Sequence, residues 1–443
     1  MLDDERTEAA APARRLRGTP VPPSRIERFR RAAISALSPL AIRVSNPNIW
    51  RFLWLVPPKP PFLRRGVAPR RGSWGPYTRE VPADMREVPG IRRDEAAADA
   101  AYAEEPLHDW ITTHDEAVRW MYRHGWDVYL IAAPRMVRAV RDIVRVRRRR
   151  PASPPAIAPP ADPAELTKLV KELGAELGMS AVGVARYDPR YTLAQVADRP
   201  PAGDRMIVCI VEQNWEATQT SPSGRSERSA FAAFGEVLRL SSKLAERLQE
   251  MGYRAHPHDA QGETVVLQYA VAAGLGQMGA NGQVLTPFAG SRARITTIET
   301  NAPLDFDAPV DYGIHKICDA CQVCARRCPS GAIPGKRRMY RGVEKHKLNM
   351  ARCAPVVAQA HGCAVCMKTC PVQRYGLRAV TDEFEATGRI LGKGTAELEG
   401  YTFQDRYYGP GERPTLLREW LSPPGLIFDP RRRRPLRDAP RHF

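Results

Sequence analysis

Long apolar runs are missing from this 443-residue chain. Nothing approaches the roughly 20 consecutive apolar residues that cross a bilayer, and the best N-terminal candidate, residues 32–42, is short and interrupted by Pro39. No membrane span is expected. Arg30-Arg31 just before that stretch invites comparison with a twin-arginine export signal. Ala33, however, occupies the usual phenylalanine position and no small-residue cleavage site follows, so a cytoplasmic location is expected. Cysteine is also scarce: apart from two short runs and Cys353 there is only Cys209, in the apolar run Met206-Ile-Val-Cys-Ile-Val211, where it reads as a buried strand residue. That scarcity argues against a disulfide-stapled scaffold. Acidic residues are in deficit, with 49 Asp plus Glu against 67 Lys plus Arg and a net charge of +18. The surplus is uneven, since residues 1–150 hold 29 Lys plus Arg against 18 Asp plus Glu. Such a basic region suits contact with anionic lipid or nucleic acid, or is a solvated arginine-rich segment. Six of the eight tryptophans lie before residue 130, as an interfacial belt or as packing onto the main domain.

What is present is concentrated in the two cysteine runs, Cys318-x-x-Cys321-x-x-Cys324-x-x-x-Cys328-Pro329 and Cys363-x-x-Cys366-x-x-x-Cys370-Pro371, with Cys353 between them. The first has the spacing of the bacterial ferredoxin loop, in which three close thiolates hold one cubane and the fourth, before proline, reaches the other. By that rule Cys318, Cys321, Cys324 and Cys370 hold one [4Fe–4S] cluster, and Cys353, Cys363, Cys366 and Cys328 a second. Zinc knuckles are the competing reading, but zinc sites favour paired Cys-x-x-Cys hooks without crossed fourth ligands. The runs imply electron transfer, and the chain is long enough for a separate core to receive the electrons.

Residues 1–100, rich in Pro and Arg, read as a basic, partly disordered N-terminal arm, and 101–150 as a helical segment whose pattern begins near Trp110. Residues 151–161 read as a proline-rich linker. The main domain, 162–312, opens with Asp162-Pro163-Ala164-Glu165, an N-cap aspartate with proline at the first helical position and glutamate at the third. Leu166, Leu169, Val170, Leu173 and Leu177 follow at helical spacing and Gly178 ends the helix. Ala181–Ala185 and Met206–Val211 read as strands, and Glu227–Met251 as an amphipathic helix carrying Phe231, Phe234, Val237 and Leu238. An apolar segment, Val265–Ala273, leads into a turn with Gly274, Gly276, Gly279 and Gly282. Gly274-x-Gly276-x-x-Gly279 matches the dinucleotide fingerprint in letters, but Pro287 prevents the helix that should follow. Closely spaced glycines still let a backbone approach a large planar ligand. Strands alternating with helices imply an α/β core, followed by a ferredoxin-like dicluster module at 313–378 and a C-terminal extension at 379–443.

Over about residues 160–378 the chain resembles the corrinoid-dependent reductive dehalogenases. The resemblance is carried by Leu177-Gly178, Val182-Gly-Val184, Asp188-Pro-Arg190, the strand ending in Glu212, Gly252-Tyr253-x-Ala255 and Ala272-Ala-Gly-Leu-Gly276. It continues through Gly279-x-Asn-Gly282, Leu285-Thr-Pro287, Arg292-x-Arg294 and Tyr312-Gly before the first cysteine run. It implies a nitroreductase-like α/β core that binds a base-off cobalamin, with Gly276, Gly279, Asn281 and Thr286 at the corrinoid, and two [4Fe–4S] clusters that reduce it. The chain has no Asp-x-His-x-x-Gly motif for a lower histidine ligand, in keeping with a base-off cofactor. The family's proton-donating tyrosine falls on Phe234, its asparagine near Gln261 and its basic residue on Arg294. Phenylalanine has no ionisable proton, so this site departs from the family in its acid; His256, His258 and Tyr269 are candidate substitutes. The bland readings are core packing for Phe234, a strand-edge cation for Arg294, a loop residue for Gln261 and a buried tyrosine for Tyr269.

The implied partners are an organohalide substrate and an external donor such as a ferredoxin or flavodoxin, because no flavin or nicotinamide domain is fused to the chain. Peripheral membrane contact through the basic N-terminal region is a further expectation, and nucleic acid is not expected. The epoxyqueuosine reductases of tRNA modification resemble the chain in the same places. Their turn usually continues Trp-Ile-Gly-Lys where this chain has Gln277-Met278-Gly279-Ala280, and their aspartate acid has no evident counterpart. A third reading is a non-catalytic iron-sulfur or corrinoid carrier.

Overall fold

The computed structural model describes residues 19–20, 25, 29, 94–104, 126–193, 196–258 and 263–416, with the side chains of 19–20, 126–133 and 351 excepted. Most of the N-terminal arm, the helical pattern of 105–125 and Gln261 therefore lie outside the described residues. The helices that build the fold are α1 Glu95–Glu104, α2 Trp126–Arg148, α3 Pro163–Leu177, α4 Trp215–Gln219, α5 Gly224–Glu250 and α6 Val266–Ala272. The main sheet is made of β1 Ala181–Arg186, β2 Arg205–Glu212, β3 Ala255–Pro257 and β4 Ala293–Thr300, in the order β1-β2-β4-β3.

Local sequence explains most of these boundaries. The Asp162 side chain accepts the Ala164 N–H at the start of α3, and Gly178 ends the helix in the left-handed region at φ 101°, where lack of a Cβ removes the steric penalty. Every pairing in the main sheet is antiparallel. Period-two alternation then divides β2, the central apolar strand, between two cores. Ile207, Cys209 and Val211 pack with Leu166 of α3 and with Val237, Leu238 and Leu244 of α5. Met206, Val208 and Ile210 pack with Tyr269 and Ala270 of α6. Cys209 is fully buried, and burial pushes its thiol up. The sheet is thus a mixed α/β layer covered on both faces.

The proline-rich stretch after α2 is not a free linker. Ala152 donates its N–H to the Gln249 carbonyl at 2.8 Å, and Ala156 and Ile157 donate theirs to the Glu250 carbonyl at 2.8 and 3.1 Å. These are terminal carbonyls of α5 that the helix itself cannot satisfy. With Ala139, Ile143 and Val146 of α2 buried in the same core as α5, the segment before residue 162 is a layer of the domain.

A short hairpin, Gln277–Met278 with Val284–Leu285, carries the glycine turn to the helices of the cysteine module, α7 Ile314–Cys321, α8 Val323–Arg327, α9 Met350–Gln359, α10 Val365–Lys368, α11 Pro371–Tyr375 and α12 Leu377–Thr387. Residues beyond α12 return to this module. Fully buried Arg327 donates to the carbonyls of Glu399 and Tyr408 at 3.0 and 3.1 Å, and Tyr401 donates its hydroxyl to the Arg327 carbonyl at 3.0 Å.

Candidate redox site

The seven thiols of the runs and that of Cys353 are all free of disulfides. Tight turns fold each run back on itself, with Gln322, Cys363 and Ala364 in the left-handed region at φ 54°, 53° and 57°. Burial raises the Cys318 thiol, and the neighbouring thiols of Cys370 and Cys321 raise it further. Cys324 is raised by burial and then by Cys318, Cys321, Cys370 and Cys366. In the other group burial comes first for Cys353, followed by Cys366 and Cys328, and for Cys363, whose thiol neighbours are Cys328 and Cys353. Most of these neighbours fall within Cys318/Cys321/Cys324/Cys370 or Cys328/Cys353/Cys363/Cys366, but Cys366 adjoins both groups, being a neighbour of Cys324 and Cys370 as well as of Cys363 and Cys328.

These groups suit a polynuclear centre. Tetrahedral zinc with Zn–S bonds of about 2.3 Å places its sulfurs about 3.8 Å apart, whereas no three cysteine sulfurs among the described residues lie within 4.8 Å of one another. Burial pushes the Cys370 thiol up to about 12, so a bare set of this kind stays protonated; bound iron reverses that by deprotonating its ligands. Two sulfurs are already aligned with donors: the Ala280 N–H lies 3.5 Å from Cys318 Sγ and the Ala332 N–H 3.3 Å from Cys328 Sγ. Such bonds are a lever on cluster potential.

The Ala280 bond sets the glycine turn against the first thiol group. Its residues, however, are committed to the turn itself. A Cβ on Gly276 would meet the Leu285 carbonyl oxygen at 2.5 Å and one on Gly279 the Leu285 side chain at 2.8 Å. Asn281 accepts the Gln283 N–H at 3.2 Å, and Thr286 accepts the Ala289 N–H at 3.0 Å. Internal packing accounts for both glycines and local turns for both side chains, which leaves the backbone of the turn as its means of touching a ligand.

Arg294 and Phe234 do meet. The register Arg294↔Val211 puts Arg294 on the α5 face of the sheet, where its guanidinium lies 5.0 Å above the Phe234 ring, within cation–π range. Arg294 also donates to Gln213 Oε1, and Gln213 in turn donates to the Ser226 carbonyl at 3.2 Å. Burial brings the Arg294 guanidinium down to about 10, against the opposing field of Glu227. Glu227 also raises the Cys363 thiol, so this carboxylate stands between the arginine and the second thiol group.

The core and the cysteine module join beside this pair. Trp215 of α4 donates to the Arg374 carbonyl at 3.3 Å and Gln219 to Gln373 Oε1 at 3.4 Å. A Cβ on Gly290 would meet the Gln373 backbone at 2.6 Å. Along this seam Arg294 Nε, Ser291 Oγ, Gln219 Oε1 and Gln373 Nε2 are buried and have no hydrogen-bond partner among the described residues. Buried polar atoms are nearly always paired, and four unpaired ones along one seam fit a large ligand with its own polar arms. Gln213, Glu227, Gln219, Ser291 and Gln373 are absent from the sequence-derived site; for Glu227 the signal was its i, i+7 relation to Phe234 on one helical face.

The three candidate substitute acids are placed elsewhere. Thr297 and Glu299 point to the face opposite Arg294, and His258 joins them there, with Nδ1 2.7 Å from Thr297 Oγ1 and Nε2 3.1 Å from Glu299 Oε1. His256 Nε2 lies 2.9 Å from Glu263 Oε2 on the same side. Tyr269, on α6, donates its hydroxyl to the Asp188 carbonyl at 3.0 Å, and burial raises its pKa. The sheet therefore separates all three from Phe234, because neighbouring strand residues alternate in direction. Ligand atoms of His256, His258 and Glu263 come within 4.8 Å of one another, but Arg147 and Arg199 pair with the Glu263 carboxylate at 3.0 and 2.9 Å. Two guanidiniums oppose a metal cation there.

No family model matches the chain. Among curated proteins it is 28% identical over 255 residues to the tetrachloroethene reductive dehalogenase of Sulfurospirillum multivorans, covering 47% of this chain and 50% of that protein. It is 33% identical over 157 residues to the same-named protein of Dehalobacter restrictus, covering 35% and 27%. It is also 30% identical over 258 residues to the epoxyqueuosine reductase of Lactococcus garvieae, covering 47% and 70%. The chain thus spans half or less of the dehalogenases' own length. Among solved structures, the catabolic reductive dehalogenase NpRdhA in complex with 3-bromo-4-hydroxybenzoic acid aligns with a TM-score of 0.51 at 23% identity, over 63% of this chain and 45% of that one; this likeness concerns the fold. Both sets of named relatives are oxidoreductases. The chain is thus similar in sequence to both sets of reductases: it covers half or less of the dehalogenases, and 70% of an epoxyqueuosine reductase at 30% identity.

Proposed function

We propose that the protein is an oxidoreductase of the dehalogenase type, in which two [4Fe–4S] clusters on the thiol groups deliver electrons to a corrinoid, and halide is removed from an organohalide. The observation that carries this reading is the seam: unpaired buried polar atoms and a half-buried arginine lie beside two groups of four thiols. One dehalogenase of this fold is described in terms of a B12-dependent mechanism, and the nitroreductase-like, corrinoid-binding assignment of the core is part of the same proposal. Bound at the seam, a corrinoid would supply a low-potential centre for carbon–halogen cleavage. Ser291, Gln219 and Gln373 would hold its polar arms. The side chains of Asn281 and Thr286, spent on their own turn, would not.

The chain's own part in the reaction is electrostatic and steric. Arg294 retains its charge at neutral pH and would stabilise a departing halide or an acidic substrate group, with Gln213 fixing its orientation. Phe234 covers the guanidinium with an apolar ring and excludes water from it, but supplies no proton. Gln261 is proposed as an amide contact to substrate. Anaerobic reconstitution with iron, sulfide and cobalamin, read by EPR, followed by halide release from aryl and alkyl halides, tests the whole reading. Cluster signals without a cobalt signal would leave an iron-sulfur carrier. Both signals without halide release, but with reduction of epoxyqueuosine in a tRNA stem loop, would favour the second set of relatives, which one of them supports by matching over 70% of its length.

A further inference from the structure

Between the two cysteine runs the chain inserts a small antiparallel hairpin, Arg338–Tyr340 with Val343–Lys345. Residues 336–352 contain seven Lys and Arg and one acid, Glu344. The insert is rooted beside the thiols. Arg337 pairs with Asp319 at 2.6 Å and His346 Nε2 lies 3.3 Å from the same carboxylate, next in sequence to Cys318. At the other end Leu348 packs against the buried cluster of Cys328, Ala332 and Ile333, which Cys324, Cys353 and Cys366 also adjoin.

Its turn packs against α1, where Asp94, just before the helix, donates its N–H to the Gly342 carbonyl at 2.8 Å and Arg341 lies over the Tyr102 ring; the rest of its surface is crowded with cations. Lys345 Nζ and Lys347 Nζ lie 5.4 and 4.6 Å from the centre of the Tyr340 ring. Burial, then Lys347 and Arg341, bring Lys345 down to about 8, with no carboxylate opposing them. None of Lys336, Lys345 and Lys347 forms an ion pair with a described residue, Lys336 and Arg338 are exposed, and Met339 between the cations is 45% exposed. Like charges held together without counter-charges raise the energy of the free protein, and an anionic surface that covers them relieves this. An apolar residue amid a basic rim is the composition of a small transient interface.

We propose that this hairpin is the docking surface for an acidic electron-carrier protein, which delivers electrons to the clusters rooted beneath it. The inference rests on the oxidoreductase reading above and adds the place where electrons enter. In the step itself the carrier loses one electron and one cluster gains it; no bond is made or broken. RNA would also answer to the positive charge, but a basic hairpin anchored to both thiol groups fits a redox partner better.

The test uses the full-length, cluster-loaded chain and reduced flavodoxin as the acidic carrier, with reduction followed by stopped-flow bleaching of the cluster absorption. The combined variant Lys336→Glu, Lys345→Glu, Lys347→Glu should lower the second-order rate constant at low salt by about tenfold or more and flatten its dependence on ionic strength. The same three positions changed to Gln should show a smaller fall in the same direction. Photoreduction by a neutral deazaflavin should be as fast in all three proteins, which shows that the variants fold and keep their clusters. Equal flavodoxin rates in wild type and the Glu variant, with deazaflavin reduction intact, would overturn the docking surface alone. Loss of single-stranded RNA binding in the variant with unchanged flavodoxin kinetics would overturn it in favour of nucleic acid. A wild-type chain that deazaflavin cannot bleach would overturn both this inference and the oxidoreductase reading.

Discussion

The two faces of the main sheet hold charged groups of opposite character, although β4 supplies both. On one face Glu299 is 1% exposed, accepts from Arg199 at 2.8 and 3.0 Å and from the Ala202 N–H at 3.1 Å, and meets His258 at 3.1 Å. Glu263 closes that network through Arg147, Arg199 and His256. On the other face Arg294, five residues earlier, has one amide partner, an aromatic ring and an unpaired Nε. The carboxylates of that network are paired by cations, although Arg147 Nη2 and Arg199 Nε within it have no hydrogen-bond partner among the described residues; a buried charge without a counter-charge is expensive. Arg294 differs in forming no ion pair with a described carboxylate, which points to a charge still to be bound. The contrast predicts that substitutions on the two faces separate stability from activity.

The largest effect belongs to the paired face. Glu299→Ala leaves Arg199 and His258 without their carboxylate and should cost about 3 kcal/mol in chemical unfolding. A loss below about 1 kcal/mol would mean that the network is looser than its distances indicate. Arg294→Met, which removes a half-paired cation and keeps an apolar side chain near Phe234, should leave stability unchanged or raise it by about 1 kcal/mol. Halide release by the reconstituted protein should meanwhile fall at least about 100-fold. If Arg294→Met unfolds the protein as Glu299→Ala does, the two faces do not differ in kind and the arginine is structural.

Much of this architecture was legible because it depends on local chemistry. Asp162, Pro163 and Gly178 mark a helix by their capping requirements, and the unbroken apolar run of β2 marks a strand buried on both sides. The thiol groups follow from short-range spacing. The site was harder to read because its partners depend on strand direction. His256 and His258 lie near Gln261 in sequence, yet a two-residue period sends them to the far side of the sheet from Phe234. The glycines of the 274–282 turn look like a ligand cradle in letters, whereas a carbonyl and a leucine side chain of their own hairpin explain two of them. The basic hairpin escaped notice because charge was weighed over long segments, where the N-terminal excess dominates. The packing of residues 152–157 onto α5 was hidden by composition, since proline-rich sequence reads as linker whether or not helix-end carbonyls await its N–H groups.

A smaller change sharpens what the unpaired face lacks. Phe234→Tyr keeps the ring beneath Arg294 and adds a hydroxyl where the proposed dehalogenase reading calls for an acid. If proton supply limits turnover, halide release should rise by about tenfold, with little change in stability. The cation beside the ring favours the phenolate and so lowers the hydroxyl pKa, which should appear as a new alkaline limb in the pH–rate profile. Unchanged rate and profile would show that the proton comes from elsewhere or that Phe234 lies outside the reacting centre.

The gentlest test is pH, and of the two faces it bears on the paired one alone. Burial works to raise the Glu263 carboxyl, but the His256 hydrogen bond and Arg147 outweigh it and hold the group at about 2. Glu299, buried but held by His258 and Arg199, also lies well below the usual range. Both carboxylates therefore contribute stability that is complete above the unfolded value of about 4.5 and is lost as pH falls toward the folded values. His256 adds an earlier onset. Burial lowers its pKa below 6.5, ahead of the opposing Glu263 hydrogen bond, so the unfolded chain takes up a proton there before the folded one does and stability begins to decline below about 6.5. Arg294, held at about 10, remains charged throughout this range and adds no slope. Unfolding measured from pH 7 to 4, below the range in which Lys345 and Lys368 titrate, should thus show a shallow decline beginning near 6.5 and a steeper one below 4.5. His256→Gln should lessen the shallow part, to which the lowered His315 also contributes, and Arg294→Met should leave the profile's shape intact. A profile whose slope between pH 7 and 5 changed with Arg294 rather than His256 would reverse the assignment of the two faces.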